Sequence, residues 1–199
     1  IKDWGNDFAV IRIKQTDLKL KDTIKFPIKD KHFEKYLTET LYVQATDPEI
    51  KETAKEIVGD ETNSYQAAKY LNQWVFNNIQ KSRSFLFASA KEVLNTGAGD
   101  CTEHAVLLCA LARSLGIPSK ICFGITYGEG SFSYHAWTEV YVGEWLAMDP
   151  TTGQYNIAAT YIKFVESDLT SSSLSQANIK GLEIKQKLKK IEILEYVQK

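Results

Sequence analysis

In the middle of the chain, apolar residues recur with helical spacing. After Asp47-Pro48, a cap residue followed by proline at the first helical position, Ile50, Ala54, Ile57 and Val58 share one face, and Gly59 stands past the end. A second helix begins near Asn63 or Ser64 and carries Ala67, Leu71, Trp74, Val75 and Ile79 on its buried stripe. Ser89-Ala90-Lys91-Glu92 has capping-box spacing and opens a short helix that ends by Gly97. Asp100 caps the next, with Glu103 as the returning carboxylate. Ala105 to Leu115 is apolar almost all round before Gly116-Ile117-Pro118 stops it. A helix apolar on every side is a central, buried one.

Strand-like runs follow: Ile121 to Tyr127, a Gly/Ser-rich break from Gly128 to Ser133, Ala136 to Val142, and Trp145 to Met148 across Gly143-Glu144. One buried helix followed by an antiparallel meander reads as α+β. Upstream, Phe8, Val10, Leu18, Leu20, Ile24 and Phe26 alternate with charged residues and read as one or two part-exposed strands. Residues 167 to 178 are Ser-rich and read as loop. The tail from Ile179 to Val197 mixes lysines with Ile184, Leu188, Ile191 and Ile193, and reads as an edge strand, with helix as the alternative over part of it. The expected organisation is a β-leaning lead-in at 1–40, compatible with a preceding domain, a core at 41–165, and a Ser-rich loop with a C-terminal edge strand at 166–199.

Charge narrows the function classes. The 199 residues carry 24 Lys+Arg against 25 Asp+Glu, a formal charge of -1, so no net cationic field gathers phosphates and nucleic acid is not an expected partner. The longest apolar run, Ala105 to Ala112, is far shorter than the roughly 18 residues that cross a bilayer, so no membrane-spanning segment is expected. Met148 is the only methionine, so a chain starting at Ile1 reads as a processed form or an excised piece, with further domains expected upstream. Three cysteines, Cys101, Cys109 and Cys122, cannot all pair within one chain.

Cys101 is the residue that packing explains least. It occupies the first helical position directly after the cap Asp100, where free N–H groups and the positive end of the helix dipole stabilise a thiolate. The approach through Gly97-Ala98-Gly99 leaves room for a substrate carbonyl, and the same N–H groups can hold an oxyanion. Cys109 and Cys122, inside apolar runs, read as core residues. Of the three histidines, His32 lies in the Lys-rich lead-in and His104 faces inward one turn below Cys101, whereas His135 stands where the Gly/Ser-rich break meets a strand. Asp149 closes the following strand before Pro150, as a turn residue or as the group that orients His135. A two-residue hairpin loop at Gly143-Glu144 would set Asp149 opposite Thr138, on the face away from His135. The two meet only across a three-residue loop or a bulge, and such an irregularity is predicted. The chemical rival is a zinc site built from Cys101, His104, His135 and Asp149.

Gly99-Asp100-Cys101-Thr102-Glu103-His104-Ala105, then Ala110-Leu111-Ala112-Arg113-Ser114-Leu115-Gly116-Ile117-Pro118, then His135-Ala136-Trp137-Thr138-Glu139-Val140, then Asp149-Pro150-Thr151 together resemble the transglutaminase-like superfamily of papain-related cysteine enzymes. Trp74-Val75-Phe76-Asn77-Asn78-Ile79 and Ala90-Lys91-Glu92-Val93-Leu94 look like its bacterial members. The resemblance covers about residues 45 to 165. It implies a central helix packed on an antiparallel sheet, with Cys101 as nucleophile, His135 as base and acid, and Asp149 as orienter. Members variously crosslink glutamine to lysine, cleave peptides, remove glycans from asparagine, or have lost activity. The animal crosslinking enzymes are longer and calcium-dependent, and this chain shows no Asp-rich calcium loop, so no cofactor or metal is expected. Hydrolysis of a protein or peptide amide is the first expectation; glutamine crosslinking and a non-catalytic binding module are the alternatives. Tyr134 and Trp137 are expected to line the cleft beside His135, or else to pack as strand residues, and Gly99 to face substrate. Trp74, Asn77 and Asn78 are candidates for a second oxyanion donor, Glu103 reads as a cap and His104 as a satisfied interior histidine. Resemblance to exported bacterial proteins tilts the expected compartment outside the cytoplasm, secreted or periplasmic.

Overall fold

Each helix of the core begins where a side chain takes up its first free N–H groups. In the computed structural model, which describes residues 3, 4, 8–19, 23–82, 88–170 and 172–196, the Asp47 carboxylate accepts the N–H of Glu49 and Ile50 at the start of α1 (Pro48–Val58). The Asn63 amide oxygen does the same for α2 (Ser64–Asn78). A reciprocal Ser89/Glu92 box opens α3 (Ala90–Thr96), which Gly97 closes in the left-handed region at φ 63°. Short parallel strands β3 (Gln80–Lys81) and β4 (Ala98–Gly99) then tie the end of α2 to the approach of α4 (Cys101–Ser114). Two further short strands, β1 (Asp3–Trp4) and β2 (Ala9–Val10), pair antiparallel near the N-terminus.

Helix α4 is the centre of the core. Every residue from Ala105 to Ala112 is fully buried, and each of Leu107, Leu108 and Leu111 contributes roughly 2 kcal/mol by leaving water. Helices α1, α2 and α3 cover it on one side and a four-stranded antiparallel sheet on the other. The sheet comprises β5 (Ser119–Gly128), β6 (Ser131–Tyr141), β7 (Trp145–Met148) and β8 (Tyr161–Ser167), in the order β7-β6-β5-β8. Pairing of β5 with β6 runs out to Gly128 and Ser131, so the break expected from Gly128 to Ser133 shrinks to a tight turn at Glu129-Gly130, both at positive φ. Phe123, Ala136 and Val140 join α4 in the main core, and the Thr138 hydroxyl donates to the Ala105 carbonyl at 3.2 Å. The opposite face carries a smaller cluster of Cys122, Trp137 and Tyr161.

Two segments depart from the sequence reading. The C-terminal stretch read as Ser-rich loop and edge strand, where the alternative of a partly helical tail holds for 179–187, contains a helix, α5 (Ser173–Lys187), packed on β8 and β5. Its buried stripe is Leu174, Ala177 and Gly181, mostly small residues at helical spacing, while the larger Ile179 lies 56% exposed; the pattern of large apolar residues therefore pointed the wrong way. Of the lead-in read as strands, β2 and an isolated Lys25–Asn63 bridge are all the strand pairing among the described residues from 8 to 26, Leu20 lying outside them. From Ile24 onward the backbone bonds go to different elements in turn: Ile24 N–H to Val142, Phe26 to Thr62, Ile28 to Gly116. That segment is strapped across the core rather than paired along one neighbour.

Candidate active site

The start of α4 is prepared by its cap. The Asp100 carboxylate accepts the N–H of Thr102 at 2.7 Å and that of Glu103, Glu103 returns its carboxylate to the Asp100 N–H at 3.0 Å, and the Asp100 carbonyl takes the His104 N–H. Cys101's own N–H is the first-turn donor this cap leaves, at the positive end of the helix dipole. Cys101 is half-buried, while Cys109 and Cys122 are fully buried and burial pushes both of their thiols up, as expected of core cysteines.

His135 on β6 donates from Nε2 to Asp149 Oδ2 at 2.8 Å. The Asp149 carboxylate is fully buried and wholly partnered: Oδ1 accepts the Thr151 N–H at 2.8 Å, and Oδ2 also accepts the Tyr161 hydroxyl at 2.7 Å. The Asp149 N–H is anchored to the Gln154 carbonyl at 2.7 Å. Cys101 also acts on His135, raising it, and with Nε2 engaged by Asp149, Nδ1 is the ring nitrogen left to face the sulfur. Burial alone would push His135 down; its hydrogen bond to Asp149, the pull of Cys101 and the charges of both reverse this and bring it up to about 10. Burial likewise opposes ionisation of Asp149, yet His135, Tyr161 and the Thr151 N–H hold it at about 2. An imidazolium therefore sits between a carboxylate and a sulfur, an arrangement able to stabilise a thiolate and to deliver a proton.

The register that brings His135 and Asp149 together depends on the predicted irregularity. Residues 142–144 form a three-residue loop, with Tyr141 facing Trp145 and Thr138 facing Met148, so Asp149 falls on the His135 face. Strand β7 pairs with β6 only from Thr138 onward, which leaves the earlier part of β6 open on that side. Here the charge of Cys101 reaches consecutive residues of β6, Tyr134 and His135, whose side chains leave the strand on opposite faces.

The residues expected to contact substrate are placed differently from one another. Tyr134 is half-buried near Cys101, its hydroxyl bound to the Asn178 carbonyl at 3.0 Å and packed under Gly181 of α5. Trp137 is 1% exposed and meets the Tyr161 ring edge-on at 5.3 Å, so it supports the Asp149 side instead of lining a cleft. Gly99 is buried, and a Cβ there would lie 2.3 Å from the Glu103 Cβ; its missing side chain makes room for the cap, not for a ligand. Asn78 spends its amide on the Trp74 carbonyl, and Asn77 accepts from Gln73. His104 has Nδ1 at 2.7 Å from the Asp100 carbonyl and Nε2 at 3.1 Å from the Ile79 carbonyl, so neither nitrogen points to a metal shared with Cys101. Elsewhere, Cys122, Glu139 and Glu166 come within 4.8 Å of one another, but Lys120 and Lys163 pair with both carboxylates. Sequence reasoning missed Tyr161 and Gln154. Tyr161 opens a strand whose alternation is broken where Phe123 faces Val165 and Gly124 faces Lys163, leaving Phe164 as a bulge.

An uncharacterized protein of Haemophilus influenzae is 34% identical over 100 residues, 48% of this chain and 27% of that protein. The uncharacterized protein YebA of Bacillus subtilis is 28% identical over 86% of this chain and 26% of its own length. The chain thus spans about a quarter of the curated relatives it matches. Among solved structures, a candidate cysteine protease from Cytophaga hutchinsonii superimposes with a TM-score of 0.65 at 22% identity, over 81% of this chain and 56% of that one. The periplasmic domain of TgpA from Pseudomonas aeruginosa gives 0.50 at 20% identity, over 63% and 49%. No helix among the described residues is long and apolar enough to cross a membrane. The family model of the transglutaminase-like superfamily matches residues 51–150, half of the chain, from within α1 to Pro150; by that match and this α+β fold, the chain belongs to the transglutaminase-like superfamily.

Proposed function

We propose that this chain is a cysteine-dependent acyl-transfer enzyme that hydrolyses amide bonds in a protein or peptide substrate, with Cys101 as nucleophile, His135 as acid and base, and Asp149 as orienter. The observation that carries this reading is His135 held between Cys101 and Asp149, with Nε2 at 2.8 Å from the buried carboxylate. In the first half-reaction the Cys101 sulfur attacks the amide carbonyl carbon, forming a C–S bond, while the Cys101 N–H receives the oxyanion. His135 passes its proton from Nδ1 to the leaving nitrogen, the C–N bond breaks, and a thioester remains. In the second, His135 takes a proton from water as the water oxygen attacks the thioester. The acid leaves and the thiolate–imidazolium pair is restored.

Iodoacetamide labelling followed by mass spectrometry tests the nucleophile. The expected result is rapid modification at Cys101 alone at about pH 6, slowed on His135→Ala; labelling no faster than that of a free thiol overturns the reading and favours a binding module. Ammonia release and amine incorporation on a glutamine-containing protein then decide the acceptor. Preferential capture of a primary amine over water would replace hydrolysis with crosslinking. Work outside the cytoplasm and further domains in the full-length protein are part of the same proposal, and cell fractionation with an antibody to this chain tests the first.

A further inference from the structure

Tyr161 has no part in the acyl-transfer scheme, yet its hydroxyl is directed at the atom on which that scheme depends. It donates to Asp149 Oδ2 at 2.7 Å, and the same oxygen holds His135 Nε2 at 2.8 Å. Two donors thus share one carboxylate oxygen. Asp149 keeps its place without Tyr161, because Oδ1 holds the Thr151 N–H and the Asp149 N–H is bound to the Gln154 carbonyl. The phenol is aimed from behind: Gln154 Nε2 donates to the Tyr161 oxygen at 3.2 Å, so the phenolic proton is turned to Asp149. Trp137 fixes the ring edge-on at 5.3 Å, and the His135 ring lies 6.0 Å away. Burial and the Asp149 charge push the phenol up, which keeps it a donor at any pH the protein meets.

The surrounding charges do not supply an alternative control. From α4 the group facing His135 is Cys101. On the sheet face shared with Tyr161, β8 contributes Lys163 and Glu166 and β6 contributes Glu139, and Lys163 and Lys120 are tied to both glutamates in a closed set of opposite charges. The loop after Asp149 contributes Gln154, which is neutral.

Resting on the proposed function, we propose that Tyr161 is a positioning residue that sets how firmly His135 keeps its proton, by drawing off part of the Asp149 charge. An imidazolium that had the whole carboxylate to itself would be a poorer acid toward the leaving amine.

The test is an NMR titration of protein labelled with 15N-histidine, in a Cys101→Ala background that removes the sulfur's own pull. The chain has three histidines, and the signal lost in His135→Ala identifies the one required. Tyr161→Phe keeps the ring against Trp137 and deletes only the hydroxyl. The His135 midpoint is expected to move upward by about 0.5–1 pH unit. In an added Asp149→Asn background, Tyr and Phe at position 161 are expected to give the same midpoint. An unchanged midpoint, or a downward one as Asp149 loses its hold, overturns the inference. If the Phe variant does not fold, Gln154→Leu, which removes the donor that aims the phenol, carries the same expected direction. Acyl transfer by the wild-type chain is assayed separately: its absence would sink the proposed function, whereas a titration without upward movement would sink this inference alone.

Discussion

Replacing Asp149 by Asn removes one charge from a site where two charges hold each other, at almost constant shape. Seen from Asp149, burial opposes the charge while His135 first, then Tyr161 and the Thr151 N–H, favour it, and the net interval runs from the ordinary 3.8 down to about 2. Seen from His135, the interval from 6.5 to about 10 is wider, because Cys101 adds its own pull. The narrower, net interval sets the scale of what Asp149 gains in its native surroundings, with His135 the leading partner: about 2–3 kcal/mol at roughly 1.4 kcal/mol per pH unit. Because His135 is raised, its stabilisation is complete below pH 6.5 and lost as pH rises through about 10. Because Asp149 is depressed, its contribution is complete above pH 3.8 and lost as pH falls through about 2. Urea unfolding should thus show Asp149→Asn weaker than wild type by about 2–3 kcal/mol near neutral pH, and by less than about 1 kcal/mol at about pH 10.5. Equal losses at the two values would mean that the substitution acts through packing, and the ion-pair reasoning would be wrong.

Two other substitutions probe the frame around the site. Gly124→Ala would set a Cβ 2.0 Å from the Ile162 carbonyl oxygen and 2.9 Å from Trp137 Cη2; thermal unfolding should register a loss of about 2–4 kcal/mol, and an unchanged Tm refutes the close approach. Glu103 is raised to about 7, by burial first and by the neighbouring Asp100 carboxyl next, so the native state should lose stability as pH rises from 4.5 through about 7. Glu103→Gln should flatten that slope in a series of Tm measurements, and a wild-type Tm flat over the same range contradicts it.

The four helices α1 to α4 were legible because each announces itself with a cap, and α1 and α3 with a glycine stop as well: Asp47 and Gly59, Asn63, Ser89 and Gly97, and Asp100 all act in space as their types and positions imply. Trp145–Met148 emerged residue for residue, and parity showed that His135 could meet Asp149 only across a three-residue loop or a bulge, the first of which is present. Strand β8 and helix α5 were hidden for opposite reasons. In β8 an extra residue at the bulge breaks the period that marks a strand. In α5 the contact stripe is built from Leu174, Ala177 and Gly181, and residues that small carry little hydrophobic signal. The same limit applies inside the site. Cys101, His135 and Asp149 are rare types in marked positions, whereas Tyr161 gains its place only once β8 is laid beside β5, a relation between strands that local pattern does not record.

The hairpin joining β6 to β7 sets a rule on length. Within a paired strand, adding or removing one residue exchanges the faces of everything beyond it, whereas a residue added in the connecting loop leaves the faces unchanged if the same residues still pair. The connection at residues 142–144 can therefore change length without parting Asp149 from His135 as long as Tyr141 still faces Trp145, while one residue added or lost between Trp145 and Asp149, or between His135 and Tyr141, demands a compensating bulge. Natural relatives and engineered versions that keep this pair should hold the spacing from His135 to Tyr141 and from Trp145 to Asp149 while the connection varies, with the Gly143 position, at φ 116°, resisting substitution where the three-residue connection is kept.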